Sequence, residues 1–156
     1  MNPYLIVKWL HIVSSVLMVG TGFGSAFYLF FTNRSGNTAA IATVGRLVVR
    51  ADWWFTTPAV IFQPLSGLWL AWQAGWDWHS HWLMLSVALF ALAGICWLPV
   101  VWLQIRMARM SQAAHAGDAQ LPERYWRYAR FWEWLGYPAF AAMLVVYFLM
   151  AVKPDF

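Results

Sequence analysis

Four stretches of this chain, residues 9–31, 53–73, 82–104 and 134–152, are each long and apolar enough to cross a bilayer, whose hydrocarbon core is about 30 Å thick. In that solvent every backbone N–H and C=O must be satisfied inside the chain, which leaves helices or a closed barrel. Nothing in the sequence alternates with the period of two that a barrel strand needs. Charged residues make up 10% of the chain, against about a quarter in a soluble domain. Such a chain cannot cover its own surface with polar groups, so part of its solvent is lipid. The expected fold is all-α, an integral membrane up-down four-helix bundle. It forms a single transmembrane domain over residues 1–156, with no room for a second globular unit.

Punctuation sets the boundaries. Asn2-Pro3 reads as a cap and first helical residue, and residues 33–37 break the first helix. A helical lead-in from Thr38 carries Arg46 and Arg50 into the second span, where Pro58 and Pro64 should kink it. Residues 75–80 form a short turn with Ser80 as a plausible cap, and Pro99 should kink the third span. Residues 113–121 read as a polar loop. Pro122-Glu123-Arg124 opens the last helix, Glu123 and Arg127 make an i,i+4 pair, and Lys153-Pro154 ends the helix. The N-terminus lacks a basic start and runs into a span too long for a signal core, so no cleavable signal peptide is expected.

Eight of the ten Lys and Arg lie in two connections: Arg34, Arg46 and Arg50 in one, Arg106, Arg109, Arg124, Arg127 and Arg130 in the other. By the positive-inside rule these connections are cytoplasmic. Both termini and the Asp77 turn are then on the periplasmic side of a bacterial inner membrane. The same rule, with contact to anionic lipid, accounts for the net charge of +4, so no nucleic-acid partner is expected. Many of the thirteen Trp fall near span ends, where aromatic side chains anchor to the interface. Cys96 is the only cysteine, which excludes an internal disulfide and a multi-thiolate metal site.

An ionisable ring within a span is expensive to keep there, so His11 stands out. It shares a helical stripe with Ser15, Met18, Gly22 and Ser25, small and polar enough to face the bundle. Gly20 and Gly24 form a GxxxG on the neighbouring face, which permits a close helix contact. Two readings follow. His11 is a structural histidine bonded to the next helix, or it is an axial imidazole of haem b, with Gly20, Gly22 and Gly24 letting a macrocycle lie close. A second ligand at similar depth would come from His81 or His79, where the third span begins. The His79-x-His81 spacing with His11 and Met84 also admits copper. Gln63, mid-span, must face inward. It serves as interhelical glue or as a hydrogen-bond partner for a quinone carbonyl or a haem propionate. Asp52 and Glu133 fall at the cytoplasmic edge, so no carboxylate is expected within the spans and a carboxylate-driven pump is disfavoured.

The order Lys8-Trp9-Leu10-His11-Ile12, then Thr57-Pro58 with Gln63-Pro64-Leu65-Ser66-Gly67, then Trp97-Leu98-Pro99 with Gln104-Ile105-Arg106, resembles a bacterial family of small four-helix predicted integral membrane proteins of unknown function. The opening is also similar, more distantly, to the HemJ-type protoporphyrinogen oxidases, membrane proteins that bind haem b. Their first helix starts with a comparable Lys-x-Leu-His-Ile. That resemblance implies a haem ligand at His11. Those proteins carry a Trp-Leu-His-x-Lys at the start of the third helix, where this chain has Trp82-Leu83-Met84-Leu85-Ser86. Without that histidine and lysine, haem binding is what the resemblance retains and porphyrinogen oxidation is not. The outline is shared with copper-resistance membrane proteins as well.

Together these readings give three expectations. One is a haem b-binding membrane redox protein, either an electron carrier or a quinone-linked oxidoreductase subunit, holding iron through His11 and His81 or His79. Another is a non-catalytic small subunit packing against a larger membrane complex or against a second copy of itself. The third is a copper-binding membrane protein. The lipid bilayer is a partner in all three.

Overall fold

The computed structural model describes residues 2–154. Helix α1 covers Pro3–Ser35, α2 Thr38–Ala51, α3 Thr57–Gln73, α4 His81–Ala116 and α5 Glu123–Val152. The starts follow the caps. Asn2 accepts from the Tyr4 N–H at 3.0 Å, and Pro3 gives up an N–H that would be unpaired in any case. Asn37 accepts from the Ala40 N–H at 3.0 Å. Gly36 stops α1 because its φ of 66° is reached without steric penalty by a residue that has no Cβ.

Helices α2 and α3 are not separated by a loop. A π-helical turn, Asp52–Thr56, joins them into one rod, with the Thr57 N–H closing onto the Asp52 carbonyl. Pro58 has no N–H to return to the preceding turn, and the widened ring lies directly ahead of it. The molecule therefore has four rods. Three helices, α1, α4 and α5, are each long and apolar enough to cross a membrane. Helix α3 alone has 17 residues. Outward residues such as Ile95 and Leu98, 68% and 65% exposed, are ones a water-soluble protein would cover.

The rods pack unevenly. Helix α1 lies against α3 and α2, and α4 lies against α5 and α2. Helix α1 barely meets α5, and α3 makes no substantial contact with α4. Two helix pairs are thus held together by α2, chiefly at the arginine-rich end. There Leu29, Ile41, Val48, Leu103, Met107, Tyr125, Ala129 and Trp132 form the main apolar core. Gly45 faces α4 where the two helices meet, and a Cβ there would make ordinary contact with the Ala108 Cα at 3.6 Å. The Tyr125 hydroxyl, buried in this core, donates to Asn33 Oδ1 at 2.7 Å. At the opposite end Ala71, Trp82, Leu83 and Leu149 form a smaller cluster. The Lys153 ammonium lies 4.2 Å from the Trp76 ring centroid beside it.

Two local expectations need correction. The polar loop over 113–121 is shorter than its composition suggests, because α4 runs on to Ala116. Its alanines are strong helix formers, and Ser111 and Ala114 are buried. The Glu123–Arg127 pair is not made. Among the described residues the carboxylate engaged by an arginine is Glu133, 3.3 Å from Arg34.

Candidate functional site

His11 sits on the α1 face turned to α3. Its Nδ1 lies 2.7 Å from Ser66 Oγ. That hydroxyl already donates to the Phe62 carbonyl at 2.7 Å, with the Gln63 carbonyl at 3.2 Å. Having placed its proton on the backbone, Ser66 accepts from His11. The favoured tautomer carries Nδ1–H and leaves a lone pair on Nε2. The ring is fixed sideways too, since a Cβ on Gly67 would meet His11 Cε1 at 3.2 Å. Two glycine-and-serine positions of α3 thus orient one imidazole of α1.

Polar groups continue along this contact. One turn further along α1 lies Ser14, and one turn back along the antiparallel α3 lies Gln63. Both are buried, and neither Ser14 Oγ nor Gln63 Oε1 has a hydrogen-bond partner among the described residues. Gln63 faces inward as expected, but the expected interhelical bond from its carbonyl oxygen is absent. A buried amide oxygen without a donor costs about 1–3 kcal/mol, so the pair marks an uncompensated polar island beside the histidine.

The other sequence-selected residues are not gathered round His11. His81 begins α4 and His79 lies in the preceding turn, both exposed, on the rod that α1 does not pack against. The Asp77 carboxylate accepts from the His79 N–H at 2.9 Å and lies 3.3 Å from its ring. These bonds, the backbone one first, hold Asp77 below its ordinary carboxyl range. Among the described residues no three His, Cys, Asp or Glu side chains converge as metal ligands. On α1, a Cβ at Gly20 or Gly24 would meet nothing within 4 Å, so among the described residues no helix packs closely on the GxxxG. Gly22 instead faces Phe140 across a central cavity, 3.9 Å from its would-be Cβ.

That cavity, about 360 Å³, is the gap left where α1 and α3 fail to close on α4 and α5. Its walls are apolar and largely aromatic: Phe23, Phe27, Phe90, Trp97 and Phe140 among others. On α1 its lining begins at Met18, about 10 Å along the helix from His11. The floor lies at the arginine-rich end and is polar. Asp52, 4% exposed, accepts from Thr56 Oγ1–H at 2.9 Å through Oδ1. The Gln104 amide, oriented so that both its ends are satisfied, donates to Asp52 Oδ2 at 2.6 Å and accepts from Trp132 Nε1–H at 3.3 Å. No cation pairs with Asp52 among the described residues.

Sequence reasoning placed Asp52 at the membrane edge and gave it no chemistry. The signal was present as Asp52 and Thr56 four residues apart, facing the lone amide Gln104.

No curated protein and no solved structure matches the chain. A family model described as a predicted integral membrane protein, DUF2269, matches residues 5–154, and the chain belongs to that family.

Proposed function

We propose that this chain is a haem b-binding membrane redox protein, an electron carrier or quinone-linked subunit of a bacterial inner membrane, with His11 as an axial imidazole. The observation that carries this reading is the orientation of His11. Ser66 accepts from its Nδ1–H and Gly67 bounds its ring, so the Nε2 lone pair is presented in one direction. A hydrogen bond of that kind on the far nitrogen is what orients and strengthens metal-ligating histidines. The residues in place fit a single imidazole ligand, and a second from His81 or His79 would require the start of α4 to close on α1. When bound, haem would exchange one electron at a time. The chain's own part is to hold the ring, fix its tautomer and keep water away through the α1–α3 contact.

The reading includes a fourth span. Helix α3 alone extends about 26 Å, less than the hydrocarbon thickness of about 30 Å. The π turn ahead of it supplies the missing length. Both termini are then on one side, which the arginine distribution makes periplasmic.

The test is the reduced-minus-oxidised spectrum of detergent-purified variants. His11→Ala should lose the haem or leave it five-coordinate, and His81→Ala should shift its α band. His115→Ala, at the exposed end of α4, should change nothing. Full haem occupancy with an unchanged α band in His11→Ala overturns the assignment. A colourless, metal-free wild type favours the non-catalytic small subunit instead, for which the open face at Gly20 and Gly24 supplies the docking surface.

A further inference from the structure

We propose that the central cavity is a binding site for a quinol, a neutral hydroxylated aromatic ring with a hydrocarbon tail, whose hydroxyl donates to Asp52. This extends the quinone-linked form of the proposed function but stands on different residues from those that would hold haem.

Three observations select the ligand. The walls come first. A cavity of about 360 Å³ faced by Phe23, Phe90, Trp97 and Phe140 suits a flat ring, and aromatic pairs favour stacked or edge-on contact. The route comes second. Cavity-lining Phe27, Phe31 and Tyr137 are 53%, 54% and 63% exposed, and the rods that carry them, α1 and α5, barely meet. The cavity therefore opens sideways towards lipid, and its occupant arrives from the bilayer with room for a tail to trail outwards. The floor comes third. Asp52 is a buried carboxylate held by two neutral donors and no cation. Its remaining lone pairs accept, so the head group must donate. Glu133, which also lines the cavity, is engaged by Arg34 on its outer side. An anionic head such as a fatty acid or phospholipid phosphate would meet Asp52 and Glu133 as like charges in a low-dielectric cleft. A neutral ring hydroxyl satisfies the floor without that repulsion.

The glycines make the site testable without damaging the fold. Gly94 and Gly136 both line the cavity, and a Cβ at either would meet nothing within 4 Å. Gly94→Leu and Gly136→Leu should fill the space and leave the helices intact.

The experiment measures equilibrium binding of a short-chain ubiquinol, its quinone and its dimethyl ether to the full chain in detergent. Haem content is read on the same samples. The quinol should bind saturably at one per chain. The ether, which cannot donate, should bind more weakly by about tenfold or more, the loss of one hydrogen bond to a charged acceptor. Asp52→Asn, which offers a donor as well as an acceptor, should shift the preference from quinol towards quinone. Gly94→Leu and Gly136→Leu should abolish binding, while Gly20→Leu, outside the cavity, should not change it. Equal affinity for quinol and ether overturns the proposal, as does undiminished binding in both cavity-filled variants. So does a phospholipid that occupies the wild type one-to-one and is lost with Gly94→Leu. Quinol binding by a haem-free protein would overturn the haem reading alone. Haem without quinol binding would overturn this inference alone.

Discussion

Single side chains carry most of what is specific about this molecule. Ser66 is the clearest case, because its hydroxyl proton is committed to the Phe62 carbonyl and its lone pair to His11. If His11 is an iron ligand, Ser66→Ala should weaken haem retention by about 10–100-fold, the usual effect of removing a ligand's hydrogen-bonding neighbour. Titration of the apoprotein with haem would measure it, and unchanged affinity would reduce Ser66 to packing.

At the scale of elements, the joint between α2 and α3 sets the geometry of both candidate sites. One residue turns an α-helix by about 100°, so an extra residue in the π turn rotates α3 relative to α2 by that order. The rotation carries Ser66 and Gly67 onto the α1 contact while α2 stays packed on α4. Deleting Trp54 should undo it. Trp54 is 77% exposed, so Trp54→Ala removes little packing, whereas the deletion should lower the melting temperature by several degrees more. Equal effects would mean that the widened turn is incidental. This joint also marks the limit of what the sequence reveals. Helix starts were legible at Asn2-Pro3, Asn37-Thr38 and Pro122-Glu123 because caps and prolines act within a turn of themselves. Gln63 and Met18 were legible as inward-facing because polarity and periodicity report on burial, whereas the buried serine is Ser14 and not the stripe's Ser15. The π turn was not, since its ring is chosen by how two rods must pack. The reach of α4 to Ala116 depended on the buried faces of Ser111 and Ala114. The cavity is the complement of packing, and no residue pattern announces a gap. Asp52 was read as an edge residue because depth along a span says nothing of whether a side chain turns inward.

For the whole molecule, the number of crossings decides which side of the membrane each end occupies. The two connections rich in arginine, with the main apolar core, gather at one end. His11, the Asp77 turn and Lys153 lie at the other. Three crossings by α1, α4 and α5 would leave the termini on opposite faces, whereas a fourth crossing by the α2–α3 rod returns them to the same face. The arginines favour the fourth. Eight of ten basic residues share an end only if all four rods cross, each antiparallel to the one before. Helix α3 also packs along α1 and sets Ser66 against His11, which a rod lying on the surface could not do. A reporter active only in the periplasm should therefore give signal when fused after the last residue and when inserted at Trp78. It should be silent at Gly36 and at Ala116, and a cytoplasm-active reporter should show the reverse. Signal at both Gly36 and Trp78 would leave the α2–α3 rod uncrossed and separate His11 from the face assigned to it. If all the signals invert, the rods still cross four times. The His11 end would then open to the cytoplasm, and the Asp52 floor would face the periplasm.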